Sequence, residues 1–309
     1  VSTALPALLL EAFAEGAGAG NGAAVVRLPG AVEDGWMQSV AGSLRQSETA
    51  FLLPSEAGWR LRWFTPSCEV PLCGHATLAA LLALGHWGLV KAGEAVRFHS
   101  RGGLLRACLL ASPTGGAPGR GWIELPGTAL QPAPAPRALG PILRARLGEE
   151  GEAFWRSGLG YAVSLVSMAA PLVRLEGLGA ELPDEVRDGL VVMQACDATV
   201  ERPTVAGEAA DYRLRFFAPG LGIPEDPVTG SAHALVAPWW MERLRRRRVV
   251  GWQCSDRPGG MVCEAGSSAK IRLTGSGHLL WDGTLYAAPR ICEAGSSAAQ
   301  SWRRLEGGD

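Results

Sequence analysis

The feature that most constrains this chain is a motif written twice. Leu61-Arg62-Trp63-Phe64-Thr65-Pro66 is matched by Leu214-Arg215-Phe216-Phe217-Ala218-Pro219. Each copy is followed by a loop, then by a glycine that opens an apolar run. The first run is Gly74-His75-Ala76-Thr77-Leu78 and the second is Gly230-Ser231-Ala232-His233-Ala234. The offsets agree, 215 − 62 = 153 and 230 − 74 = 156, about half of the 309 residues. Two matches in the same order at nearly the same spacing argue for an internal duplication. Two similar domains related by a pseudo-twofold axis are expected, each contributing one glycine-led helix start to a shared interface. A helix N-terminus carries unpaired N–H groups and a partial positive charge. Two such ends facing each other form a socket for a carboxylate or similar anion. The plainer reading of each glycine is a tight strand-to-helix turn.

The length suits two domains of ordinary size. Hydrophobic residues make up 47% and charged residues 19%, the balance of a globular chain. A net charge of -1 gives no reason to expect nucleic acid or an anionic membrane as partner. No apolar run approaches the roughly 18 residues of a membrane span. The start, VSTALPALLLEAF, lacks a basic region and is interrupted by Glu11, so it reads as a first strand rather than a signal peptide. The seven cysteines are odd in number, irregularly spaced and without a C-x-x-C pair. That argues against a zinc site and for reduced thiols in the cytoplasm.

Glycine and proline, at 41 and 21, cut the chain into short elements. Residues 34–45 place Trp36, Met37, Val40, Ala41 and Leu44 on one helical face, with Asp34 as the expected N-cap. SETAFLL, RLRWF, AVRFH and LRACLL read as strands in the first half. GLVVMQA, YRLRFFA, KIRLTG and HLLWDGTLYAA read as strands in the second. Residues 231–248 read as a helix kinked at Pro238, and Arg243 with Arg245–Arg248 suits a helix C-terminus better than nucleic acid. The proline-rich residues 127–140 read as a stiff linker. The expected organisation is therefore a domain over 1–126, this linker, a second domain over 141–288 and a flexible tail over 289–309. The heptapeptide CEAGSSA occurs twice, at Cys263–Ala269 and Cys292–Ala298, with no mechanism attached.

The two halves differ in their reactive residues. The first offers Cys73 and His75, the second Glu225, Asp226 and Ser231, and Glu48 opens an otherwise apolar strand. A buried unpaired carboxylate is costly. Glu48 is thus either a strand-end residue facing water or a pocket carboxylate available as general base and acid. A metal site at Cys73–His75 lacks other ligands clustered nearby in the sequence. His86, His99, His233 and His278 read as structural or exposed.

QSETAF, RWFTPSCEVPLCGHATLAA and GIPEDPVTGSAHALVAPWW resemble the signature segments of the phenazine biosynthesis PhzF-like family. The likeness runs from about residue 8 to 288, and it is strongest to the family's animal phenazine-biosynthesis-like domain proteins. It implies an α+β fold like that of diaminopimelate epimerase: two similar domains, each a curled, mostly antiparallel sheet around a central helix, with the active site between them. It implies a cofactor-independent isomerase or epimerase that shifts a proton between carbons of a small carboxylate-bearing metabolite. The family's catalytic glutamate falls on Glu48. The glycine and histidine of its C-G-H-A-T motif fall on Gly74 and His75. The aspartate and serine of its D-P-x-T-G-S motif fall on Asp226 and Ser231, with Gly230 between them. His75 and Asp226 are expected to assist catalysis, and Gly74, Gly230 and Ser231 to bind substrate. No metal or organic cofactor is implied, and a homodimer is.

Racemases of this fold pair two thiols, and Cys73 stands at the first thiol's place. EDPVTGS in the second half holds no cysteine, so the pair lacks its partner. The family's usual D-A-F and G-N-P-A-A-V segments are replaced by Glu11-Ala12-Phe13 and Gly20-Asn21-Gly22-Ala23-Ala24-Val25. A second reading keeps the fold but makes the chain a catalytically weak protein-binding or regulatory partner.

Overall fold

The computed structural model describes residues 4–114, 116–287, 289, 291–293 and 296–306. The chain divides into two compact units. The first takes residues through 124 and from 274 onward, and the second takes residues 125–273.

The first unit starts with β1 (Leu5–Ala12) and β2 (Asn21–Arg27). It continues through α1 (Asp34–Leu44), β3 (Glu48–Ser55), β4 (Gly58–Phe64), β5 (Glu69–Val70) and α2 (Gly74–His86). The strands β6 (Ala95–Ser100), β7 (Gly103–Ala111) and β8 (Gly119–Pro126) follow. β1 runs antiparallel to β2, β2 parallel to β3, and β3 antiparallel to β4. β4 pairs antiparallel with β5 and parallel with β6, and β6, β7 and β8 form an antiparallel run.

Between β1 and β2 the loop is set by two contacts. Buried Glu11 accepts from the Gly18 N–H at 2.7 Å. Gly20 has φ +69, and a Cβ there would sit 2.5 Å from the Ala12 carbonyl oxygen. Only glycine fits that close approach, and the next residue is Asn21, which opens β2.

α2 is the centre of this unit. Every residue from Gly74 to Gly85 is buried, and the helix packs on β1, β2, β3 and β7. GHATLAALLALGH is apolar on all sides, which suits a helix enclosed by sheet rather than one lying on a surface. Leu78, Leu81, Leu82 and Leu84 are fully buried, and each such side chain contributes about 1.5–3 kcal/mol.

The second unit contains β9 (Leu130–Pro132), α3 (Leu139–Leu147), β10 (Ala153–Ser157), β11 (Ala162–Leu165) and β12 (Leu190–Ala195). A small hairpin, β13 (Thr204–Val205) and β14 (Glu208–Ala209), precedes β15 (Tyr212–Ala218) and β16 (Ile223–Asp226). α4 (Gly230–Leu244), β17 (Arg248–Gln253) and β18 (Gly259–Ala265) complete it. β10 is antiparallel to β11, β11 parallel to β12, and β12 antiparallel to β15. β15 pairs antiparallel with β16 and parallel with β17, and β17 is antiparallel to β18. This is the same ladder order as in the first unit, with α4 inserted where α2 stands. The duplication read from the motif is thus present in the topology of each unit taken by itself. α4 packs on β9, β17 and β18 and buries Ala232–Ala237 and Trp240.

Several sequence expectations are corrected. Residues 127–140 are not a bare linker: β9 pairs antiparallel with β10, and α3 starts at Leu139. KIRLTG and the first eight residues of HLLWDGTLYAA form one strand, β19 (Lys270–Leu285), which runs on through Ser276 and Gly277; Tyr286 and Ala287 lie beyond it, and Ala288 lies outside the described residues. The strand's later residues pair with β1, which returns the chain to the first unit. α4 ends at Leu244, Arg245 takes a left-handed backbone, and Arg248 opens β17 instead of extending the helix. Asp34 is not a cap; Glu33 holds that position, and Asp34 binds Arg62.

The tail is corrected as well. Residues 297–303 form α5 (Ser297–Arg303), and Trp302 is fully buried in the first unit's apolar core with Phe51, Phe64 and Leu305. Trp302 Nε1 donates to the Val32 carbonyl at 3.1 Å, and Glu306 takes both Arg60 nitrogens at 2.8 and 2.9 Å. A large indole with a satisfied N–H is what holds so short a segment in place. Ala294 and Gly295 of the second CEAGSSA lie outside the described residues.

Candidate active site

Glu48 is the first residue of β3, in register with Ala23 of the parallel strand β2. Cys73, in extended conformation, is the N-cap of α2, and Gly74 and His75 are its first helical residues. The fold brings these segments together. His75 Nε2 lies 3.0 Å from Glu48 Oε2. Cys73 Sγ lies 3.5 Å from His75 Nδ1 and 4.0 Å from Nε2. Glu48, Cys73 and His75 are 7%, 6% and 4% exposed, so the water-facing reading of Glu48 does not hold.

The Glu48–His75 contact is within ion-pair distance, but its alignment is too poor for a hydrogen bond, and Glu48 Oε2 is left without one. The imidazole is held from its other side. Ser47 Oγ donates to Asn21 Oδ1 at 2.9 Å, which turns the Asn21 amide nitrogen toward His75 Nδ1 at 3.2 Å. Asn21 is fully buried, and sequence reading treated it only as part of a loop. Its pairing with His75 spans two distant segments and leaves no local pattern.

Burial disfavours a charged ring at His75. The charges of Cys73 and Glu48 outweigh it, so His75 is raised well above the ordinary histidine range. Burial, and then the Glu48 charge, push the Cys73 thiol up to about 11. A helix N-terminus would acidify a thiol, and here burial dominates. The donor atoms of Glu48, Cys73 and His75 lie within 4.8 Å of one another, an O, S and N set that could hold a metal ion. The sequence showed no third ligand beside Cys73–His75 because Glu48 lies on a different strand.

In the second unit, Asp226 ends β16 and is 8% exposed. Thr229, the N-cap of α4, donates from Oγ1 to Asp226 Oδ2 at 2.6 Å. Buried Gln253 ties this turn twice: its Nε2 donates to the Asp226 carbonyl at 2.6 Å, and its Oε1 accepts from the Thr229 N–H at 2.8 Å. Gly230 is buried at the start of α4, and Ser231 Oγ lies 3.4 Å from Tyr161 Oη. His233 is a fully buried core residue, the structural one of the two readings left open by the sequence. It lies 2.9 Å from Tyr212 Oη, and burial lowers it to about 3.

The repeated motif carries a function that sequence reading missed. Arg62 is 1% exposed and donates to Glu69 through two nitrogens, both at 2.7 Å. Arg215, also 1% exposed, does the same with Glu225 at 2.6 and 2.5 Å. Each arginine reaches from the central strand of the ladder, β4 or β15, to the short strand beside it, β5 or β16. Each short strand leads into the glycine that opens α2 or α4. The fork geometry of a bidentate arginine fixes position as well as charge. The arginines stood in the motif from the start, while the glutamates sit at unequal distances from them, which hid the pairing.

Similarity to known proteins runs along most of the chain. A profile described as Phenazine biosynthesis-like protein matches residues 10–283. Over 259 residues the chain is 34% identical to an uncharacterized isomerase of Halalkalibacterium halodurans, covering 83% of this chain and 89% of that protein. It is 29% identical over 305 residues to the Phenazine biosynthesis-like domain-containing protein of Homo sapiens, covering 92% and 99%. The chain thus matches both bacterial and animal members of this group over most of its length. Among solved structures, a PhzF family phenazine biosynthesis protein of Enterococcus faecalis superposes with TM-score 0.74 and 28% identity, covering 92% of this chain and 100% of that one.

Proposed function

Because this chain belongs to the phenazine biosynthesis-like, or PhzF, family, we propose that it is an isomerase moving a proton between two carbons of one small carboxylate-bearing metabolite. Glu48 is the acid/base. Its carboxylate takes the proton from one carbon, carries it as the carboxylic acid and returns it to another. The observation that carries this reading is the buried Glu48 Oε2, which faces His75 yet has no aligned hydrogen bond. A lone pair without a donor in a nearly dry site is free to accept a proton from carbon. The isomerase name of the Halalkalibacterium relative supports the reaction class.

His75 lies beside the Glu48 carboxylate; when its ring is charged, Nδ1–H donates to the Asn21 amide oxygen in place of the amide nitrogen, and the positive charge supports the developing anion. In the second unit, Asp226 is a buried carboxylate fixed by Thr229 and Gln253. The backbone N–H groups that could take a carboxylate are those at the start of α2, at Gly74, and, within the second unit, those at the start of α4, at Gly230 and Ser231. Cys73 has no part in the proton transfer, since a neutral buried thiol is a poor base.

The test is deuterium incorporation from solvent into a panel of small carboxylates, comparing the native chain with Glu48→Gln. Loss of exchange in the variant supports the role, and full retention removes Glu48 as the base. If no metabolite is bound or turned over, while a protein partner survives changes at His75 and Asp226, the regulatory reading replaces this one.

A further inference from the structure

The cluster of Glu48, Cys73 and His75 has a property that proton transfer does not use. It presents a carboxylate oxygen, a sulfur and an imidazole nitrogen within 4.8 Å of one another, all on buried side chains. We propose that these three residues form a binding site for a divalent cation of the zinc class, and that occupation switches the proton-transfer group off.

The donor chemistry selects the ion. Sulfur with imidazole favours a borderline-soft ion over magnesium or calcium, which prefer all-oxygen sites. Three protein ligands with a fourth position left to water form the usual open zinc arrangement. With bonds of about 2.0–2.3 Å, tetrahedral zinc ligands stand about 3.3–3.8 Å apart. The observed separations of 3.0 Å (His75 to Glu48) and 4.0 Å (His75 to Cys73) bracket that range. Small side-chain rotations close the difference.

Two further observations point the same way. Glu48 Oε2 is buried and without a hydrogen-bond partner, the condition of a ligand atom awaiting a cation. His75 Nδ1 is already engaged by the Asn21 amide, which leaves Nε2 as the coordinating atom. A metal-bound histidine donates its second ring N–H to an acceptor, so coordination through Nε2 requires the Asn21 amide to turn over from the orientation seen here. The Asn21 amide presents its oxygen to Nδ1–H when Nε2 holds metal, with the Ser47 hydroxyl then accepting instead of donating.

Charge and protons balance. The thiol S–H bond breaks, its electron pair forms the sulfur–metal bond, and the proton leaves to solvent. A protonated His75 releases its Nε2 proton in the same way. No electron is transferred. One carboxylate, one thiolate, a neutral imidazole and a dication sum to zero, which favours burial. The ion then occupies the Glu48 oxygen that would accept a proton from carbon. Only this switching consequence rests on the reading of Glu48 as the base; the site itself does not.

The test uses Co²⁺ as the probe, titrated into the full, chelator-treated chain without substrate. The expected result is a 1:1 species with a thiolate-to-cobalt charge-transfer band, displaced by one equivalent of Zn²⁺. Cys73→Ser removes the band. Glu48→Gln, which keeps the shape of the side chain, raises Kd by at least about 10-fold, the loss that even an outer-shell change brings to a metal site. Circular dichroism checks that both variants fold. Absence of the band in the native chain, its survival in Cys73→Ser, or an unchanged Kd in a folded Glu48→Gln overturns the site. Because the band is read without substrate, failure of solvent exchange leaves this result untouched, and the reverse also holds.

Discussion

His75 Nε2 stands 3.0 Å from Glu48 Oε2, yet the two are not aligned for a hydrogen bond. A proton-transferring carboxylate needs this relationship: near enough for electrostatic support, not locked to a donor. General acid–base groups contribute about 10²–10⁴-fold. Glu48→Gln is therefore expected to lower substrate-dependent solvent exchange by at least about 100-fold, with the fold unchanged by circular dichroism. A smaller loss assigns the proton to another group.

The same pair predicts how His75 titrates. Its folded pKa is raised, against burial, by the charges that face it. A raised histidine adds stability below its unfolded value of about 6.5 and loses it as pH rises through the folded value. Ring NMR of the chelator-treated chain should show a His75 midpoint above that unfolded value, and Glu48→Gln should lower the midpoint. An unmoved midpoint means that the carboxylate is not its support.

The buried Arg62–Glu69 pair should behave asymmetrically. Removing one partner of a buried pair costs about 3–5 kcal/mol, whereas replacing both by apolar groups is often nearly neutral. Glu69→Ala is expected to destabilise by about that amount, and the double change Arg62→Met with Glu69→Leu to recover most of it. Urea unfolding of the two variants decides. Equal losses would mean that Arg62 is held mainly by Asp34.

Asp34 itself gives a pH signature. The hydrogen bond from Arg62 is the largest cause of its lowered pKa. A lowered carboxylate adds stability above its unfolded value of about 3.9 and loses it as pH falls through the folded value. Asp34→Asn should flatten the acid limb of the stability curve between those two values. The contribution is modest because Asp34 is half exposed.

Trp302 is expected to anchor the C-terminal segment. Trp302→Ala should cost about 3–5 kcal/mol, as for other large-to-small changes in a core. The loss should appear in hydrogen exchange of the first unit, at β3 and β4, whose Phe51 and Phe64 share its core. Unaltered exchange there would show the segment to be dispensable.

CEAGSSA shows where local sequence stops being informative. In the first copy Cys263–Ala265 ends β18, and Ser267 supplies the carbonyl of a turn, with Ser268 and Ala269 in left-handed backbone. In the second copy the corresponding residue, Ser296, caps α5 through its hydroxyl. The seven residues are the same. The first copy is followed by the strand residues Lys270 and Ile271, and the second by Ala299 and the buried Trp302. Packing of those neighbours decides between turn and helix, because neither state has enough intrinsic preference over so short a span.

The sequence by itself determined the duplication, the family, most strands and the two glycine-led helices. Those features rest on motifs and on short-range apolar periodicity, which each segment carries in itself. Only the tertiary structure decided that Glu48 is buried against His75, that Asn21 holds the imidazole, that Cys73 is a neutral thiol, and that Arg62 and Arg215 each grip a glutamate. Those relations join residues on different strands and helices. Their distances, desolvation and charge depend on how the elements pack, and no spacing along the chain encodes that.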